Sequence, residues 1–251
     1  PLPNIDFNIR QGNSLVGYTK ITDVLSTDSK GNTELGNFGE GASGRVRDNF
    51  EEIIEAVKKH KKAGDSSDAT DWRNVAESRI DEYRQNLNQD ILEDFHDAGI
   101  EDADMEYVEE VSPFHWVLEF ANVYSKGGFD VLIGNPPWEV LEPNREDYFT
   151  KYDEIFRTRM PENKDEKQEE LLKNKEIEEG WQEHKEKMKK RAKYFNNTQQ
   201  YELQSPTVAG RKMPNKNELS ALFFERAFQL ARDESYVSQI LPSAVWNGAS
   251  C

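Results

Sequence analysis

FDVLIGNPPWEV, residues 129–140, opens as an apolar run and ends in a cluster that no strand can continue. Phe129 to Ile133 is short, aromatic and β-branched and follows Gly127-Gly128, which predicts a strand. Pro136 and Pro137 lack N–H donors, fix their own φ and push the residue before each toward an extended conformation. A stiff loop with exposed carbonyls is therefore expected directly after the strand. Asn135 adds a side-chain carbonyl acceptor, and Trp138 adds a large flat π face. In an open α/β sheet ligands bind at the carboxyl ends of the strands, so this loop is expected to line a site. The plainer alternative is a rigid turn with a packing tryptophan; the apolar strand in front of it weighs against that.

Two acceptors beside an aromatic plate suit a planar ligand carrying an exocyclic amine. Such an amine is a poor nucleophile because its lone pair is delocalised into the ring. Accepting both of its hydrogens, on Asn135 Oδ1 and the Pro136 carbonyl, favours a pyramidal nitrogen. Both bonds then strengthen as positive charge builds on that nitrogen in the transition state. No covalent nucleophile is required. A cytosine-C5 mechanism would need a cysteine in this loop, and the only cysteine is Cys251.

Outward from the loop, residues 112–124 (SPFHWVLEFANVY) predict a lead-in helix with Pro near its start. Residues 217–232 (NELSALFFERAFQLAR) predict an amphipathic helix, and 235–241 a strand ending at Pro242. Near the other end, residues 5–15 (IDFNIRQGNSL) alternate apolar and polar and predict a short strand before a Gly-Asn-Ser turn. Residues 45–62 and 72–95 carry apolar residues at helical spacing and predict an antiparallel helical hairpin. Residues 164–193 are dense in both charges; a long solvated helix is expected, with a charged nucleic-acid arm as the alternative. Strands alternating with helices give α/β with a parallel core, into which the helical segments are inserted.

The chain of 251 residues is long enough to bury a core. Its 32 basic and 48 acidic residues leave a net charge of −16, which argues against nonspecific nucleic-acid binding by the bulk surface. Any nucleic-acid contact must be local or come from another segment. One cysteine means no disulfide framework and no Cys-based metal site, and a reducing, cytoplasmic setting is expected. No run approaches the roughly 18 apolar residues of a membrane span, so no membrane partner is expected. His60, His96, His115 and His184 show no metal spacing, and His115 beside Trp116 is expected to be packed rather than catalytic.

FDVLIGNPPWEV resembles motif IV of the amino-methyltransferases. More specifically, it is similar to that of the large N6-adenine DNA methyltransferases of type IIG restriction-modification enzymes and related phage-defence methylases. LPNIDFNIRQGNSLVG resembles the family's strand and turn at the cofactor adenine, and PFHWVLEFANVYSKGG its lead-in helix. ELSALFFERAFQLAR with VSQILPSAVW resembles its helix and strand after motif IV. These stretches stand in the family's order. The resemblance implies part of a Rossmann-like sheet that uses S-adenosylmethionine, with long helical insertions, and a methyl transfer to the exocyclic N6 of an adenine flipped out of double-stranded DNA. It implies Asn135, Pro136, Pro137 and Trp138 as the catalytic tetrad, with Trp138 stacked on the flipped base. Asn13, Ser14 and Gly134 are implied at the cofactor.

On this reading the chain is a partial catalytic domain. Residues 1–17 form the cofactor-adenine strand and turn, 45–100 a helical insertion and 112–142 the motif IV region. Residues 163–200 form a charged insertion, and 217–251 the helix and strand that follow. The family's Gly-rich cofactor turn is expected before residue 1 and its target-recognition domain downstream, in missing segments of one parent chain. The chain by itself is accordingly expected to bind the cofactor weakly or not at all. FGEGASG, residues 38–44, has GxGxxG spacing but no strand before it, and reads as a loop. Two other functions stand beside the leading one: a protein-glutamine or RNA amino-methyltransferase, and a non-catalytic binding module. Trp138, where glutamine and RNA methyltransferases commonly carry Tyr, favours DNA.

Overall fold

The computed structural model describes residues 7–20, 25–27, 33–35, 42–64, 66–203, 207–208, 211–212, 217–243 and 245. Their elements in chain order are β1 (Leu25–Thr27), β2 (Thr33–Leu35), α1 (Ala42–Ala63), α2 (Ser67–Asp97), α3 (Met105–Val111), α4 (Trp116–Glu119) and α5 (Ala121–Tyr124). There follow β3 (Phe129–Gly134), α6 (Arg145–Phe149), a 3-10 turn (Phe156–Thr158), α7 (Pro161–Leu171) and α8 (Lys175–Asn197). The last are β4 (Thr207–Val208), β5 (Arg211–Lys212), α9 (Leu219–Leu230) and β6 (Ala231–Gln239). They fall into two compact units, one comprising residues 1–97, 101–136 and 222–241, the other 98–100, 137–221 and 242–251.

In the first unit the predicted strand 129–133 forms β3 and pairs in parallel with β6. The ladder jumps from Phe129–Ala231 to Val131–Tyr236, so 232–235 bulge out and the regular part of β6 begins near the expected residue 235. The fold is thus a mixed helix–strand chain with a small parallel sheet. Among the described residues the remaining strands form separate antiparallel pairs, β1 with β2 and β4 with β5, not a wider Rossmann-like sheet. The helical hairpin forms as expected: Phe50 meets Tyr83 at 6.3 Å between ring centroids, and Lys59 lies 4.2 Å from the Trp72 ring centroid, so α1 and α2 run antiparallel. His60 is buried between them, its Nδ1 2.7 Å from the Ala69 carbonyl oxygen.

Two expectations for this unit are corrected. Among the described residues of 5–15 there is no strand, only turns and a single parallel bridge from Asn13 to Pro113. The alternation fails where Leu15 and Val16 are buried side by side, and Ile9 is exposed. The lead-in helix does not begin at Ser112 either. Ser112 closes α3 in a left-handed conformation, φ 53°, with Pro113 preventing continuation, and helix resumes only at Trp116. Of the 38–44 loop, residues 42–44 belong to α1, and the rest, with Cys251, lies outside the described residues.

In the second unit the charged stretch is not one solvated helix. It breaks at 172–174, where Asn174 caps α8 by accepting the Glu176 N–H at 3.0 Å. A thin apolar stripe of α8 is buried: Ile177 and Trp181 pack with Tyr148, Phe149 and Phe156, and Tyr194 and Phe195 are buried near the far end. Tyr148 donates its hydroxyl to the Ile177 carbonyl at 3.0 Å, and a Cβ at position 180 would lie 2.5 Å from that hydroxyl. Gly180 is what lets the tyrosine approach the helix.

Candidate functional site

Strand β3 delivers the Asn-Pro-Pro-Trp stretch at its carboxyl end. The Gly134 carbonyl accepts the Ile240 N–H at 3.1 Å, which holds the strand's last residue in register with β6. Beyond it Asn135 is exposed and Pro136 is buried, both in the first unit. Pro137 is exposed and Trp138 retains 53 % of its surface, both in the second unit. The anchoring proline thus sits beside an exposed amide, and the tryptophan is not a core residue.

At the beginning of β3, Phe129 lies within an aromatic group: Phe120 at 5.4 Å, Trp116 at 5.9 Å and Tyr124 at 6.0 Å between centroids, each close to edge-on. Trp116 also donates its Nε1–H to the Ser14 carbonyl at 3.0 Å. The lead-in segment therefore couples the Gly-Asn-Ser turn to the strand that carries Asn135.

That turn is held from several sides. Asn13 N–H donates to the Ser112 carbonyl at 2.8 Å, and Asn13 Oδ1 accepts the Leu15 N–H at 3.2 Å, closing an Asx turn. Phe114 N–H donates to the Val16 carbonyl at 2.7 Å. Gly17 has φ +127°, and a Cβ there would stand 2.4 Å from the Phe114 carbonyl oxygen, so only glycine fits. Arg226, fully buried on α9, donates to the Leu15 carbonyl at 2.7 Å. Sequence reasoning passed over Arg226 and Trp116. A cationic residue inside the apolar run LFFERAF was the one available signal for the first.

His115 is packed, with no exposed surface. Its Nδ1 accepts the Tyr18 N–H at 3.4 Å, so Nε2 carries the proton and donates to Asn88 Oδ1 at 3.0 Å. Burial, with the Arg84 charge nearby, holds its pKa down to about 3, against 6.5 for a free histidine. A folded pKa below the unfolded one means stability that is present above pH 6.5 and lost as pH falls toward 3. Asp90 works the other way, since burial and the neighbouring Glu93 and Asp94 raise its carboxyl to about 6. Comparing wild type with His115→Gln isolates the histidine. Between pH 7 and 5 the stability gap between the two is expected to narrow by about 2 kcal/mol, read from urea unfolding at each pH. A gap independent of pH would show that His115 titrates normally.

Among the described residues no group of three or more His, Cys, Asp or Glu could hold a metal ion. No helix among them is long and apolar enough to cross a membrane.

The model of the Eco57I restriction-modification methylase family matches residues 18–167, well over half of the chain, including all of β3 and Asn135–Trp138. The chain belongs to this family. The Eco57I match leaves out Asn13 and Ser14 on one side and α8 and α9 on the other. A protein of Methanocaldococcus jannaschii, named as a type II restriction enzyme and methyltransferase, is 25% identical over 193 residues, covering 61% of this chain and 16% of its own length. The chain thus spans about a sixth of the curated relative it matches. No solved structure matches.

Proposed function

We propose that this Eco57I-family chain is the base-capturing part of a DNA methyltransferase that methylates the exocyclic N6 of an adenine flipped out of duplex DNA. The observation that carries the reading is the Asn135-Pro136-Pro137-Trp138 stretch at the carboxyl end of the parallel strand β3, with Asn135 and Trp138 exposed and Pro136 buried. On this reading Asn135 Oδ1 and the Pro136 carbonyl accept the two amine hydrogens, on a backbone anchored by buried Pro136. Trp138 gives the flipped base a π face on which to stack. The family and the Methanocaldococcus relative's name support DNA over glutamine or RNA as the substrate.

S-Adenosylmethionine, when bound, supplies an electrophilic methyl group. The Gly-Asn-Ser turn fits its adenine end: with Asn13 Oδ1 engaged by the Leu15 N–H, the Asn13 amide is left with NH₂ donors, which suit a ring nitrogen. Ser14 adds a hydroxyl beside it and Gly134 a close approach of backbone.

Incubating the protein in its natural full length with duplex DNA and labelled cofactor, then digesting to nucleosides, is expected to yield N6-methyladenine. Label on glutamine or RNA, with none on DNA, would overturn the reading. In the same assay Trp138→Ala is expected to weaken base capture by about 1 to 3 kcal/mol, and Trp138→Phe to preserve it, because stacking needs only a π face. If Phe is as damaging as Ala, Trp138 packs rather than captures.

A further inference from the structure

The second half of α8 carries a concentration of positive charge that its packing does not require and the proposed catalysis does not use. From Lys185 to Lys193 there are six basic side chains and one acid, +5 over nine residues, in a chain whose net charge is −16. Helix-dipole complementarity accounts for cations in the last turn alone. Ion pairs within the helix engage Lys187 with Glu183 at 2.9 Å and Lys189 with Glu186 at 2.6 Å, but the Lys189 pair is exposed on both sides and so contributes little. A helix needing only solubility would not concentrate one sign against the charge of the whole molecule.

The placement gives this charge a direction. Ile177, Trp181, His184, Met188 and Phe195 share the buried or half-buried side of α8; Lys185, Lys189 and Lys193, at i, i+4 and i+8, run from a half-buried flank of that side at Lys185 onto the exposed face at Lys189 and Lys193. Lys185 keeps its ammonium 5.8 Å from the Trp181 ring centroid, and Lys193 also donates to the Gly99 carbonyl. Three such residues span about 12 Å of helix, room for several phosphates of one DNA strand. The same half of α8 is tied to the chain just past Trp138. Buried Asn217 donates its Nδ2–H to the Ala192 carbonyl at 3.0 Å, while its own carbonyl accepts the Leu141 N–H at 2.8 Å. Leu219 N–H donates to the Glu139 carbonyl at 2.8 Å, and Val140 bridges Glu218. Within one unit, the basic stripe and the segment carrying Trp138 are linked by these hydrogen bonds.

We infer that Lys185, Lys189 and Lys193 form a phosphate-binding stripe that grips the duplex DNA backbone beside the base taken up at Trp138. This rests on the methyltransferase reading for its substrate. Charge complementarity commits it to a polyanionic double helix: the bulk surface repels DNA, so binding must be concentrated where the sign reverses. Contacts of this kind set register and affinity without reading sequence.

The test uses the full-length protein with Lys185→Gln, Lys189→Gln and Lys193→Gln combined, and a Lys→Arg version at the same three positions. Glutamine keeps the helix propensity of lysine. Dissociation constants are measured for cognate and scrambled duplexes at several salt concentrations. Loss of three phosphate contacts is expected to lower the slope of log affinity against log salt by about 2.7, so that rising from 50 to 200 mM salt costs the variant about 40-fold less than wild type. Both duplexes should weaken alike, kcat at saturating DNA should be retained, and the Lys→Arg version should bind as wild type. An unchanged slope in the glutamine variant overturns the stripe, as does equal weakening by the Lys→Arg version, which would mark a structural role. Tighter binding to RNA or to an acidic protein than to duplex DNA overturns the assignment to DNA. Failure of wild type to methylate DNA instead overturns the catalytic reading, and is seen separately.

Discussion

Asn135→Ala is expected to lower methyl transfer by about 10²-fold or more while leaving unfolding unchanged, because it removes an acceptor whose bond strengthens as charge develops on the amine. The side chain is exposed at the end of β3, and the ladder past it is closed by the Gly134 carbonyl and the Ile240 N–H rather than by Asn135. A folding defect is therefore not expected from the substitution. Single-turnover methylation with saturating DNA and cofactor reads the chemical step, and urea unfolding of the same sample reads stability. Near-wild-type turnover would sink the assignment of Asn135. Loss of turnover together with a large loss of stability would show that it holds the fold instead.

Trp181→Ala is expected to destabilise the second unit by about 3 to 5 kcal/mol, the usual cost of removing a buried large aromatic. Against a typical total stability of about 5 to 15 kcal/mol, that is a large share. The ring is 8% exposed and stands 5.1 Å from both the Tyr148 and the Phe149 centroids. Gln182, its exposed neighbour, provides the control: Gln182→Ala should stay within about 0.5 kcal/mol. If both substitutions cost the same small amount, the helix is the solvated element that its composition implies.

Trp181 also shows why the charged stretch was misread. Ile177 and Trp181, one turn apart, are enough to seat the helix against Tyr148 and Phe149, yet they disappear in a count dominated by Glu and Lys. What that pair packs against lies some 30 residues upstream, and local pattern carries no information about it. The segment 5–15 failed for a related reason. Its alternation was real over a few residues, but its backbone groups are satisfied by Ser112 and Trp116, about a hundred residues away, and by an arginine on α9, so it folds as a clamped turn.

The sequence by itself determined the strand over 129–133, the proline-stiffened loop after it and the two-helix hairpin. Each of these is set by residues within a few positions of one another, through steric limits on proline, hydrophobic period and side-chain chemistry. Only the tertiary structure decided that β3 pairs with β6, that Arg226 and Trp116 hold the Gly-Asn-Ser turn, and that Asn217 ties the basic half of α8 to the segment behind Trp138. Those arrangements depend on buried polar groups finding partners across long stretches of chain, and the partner is chosen by how the whole chain packs.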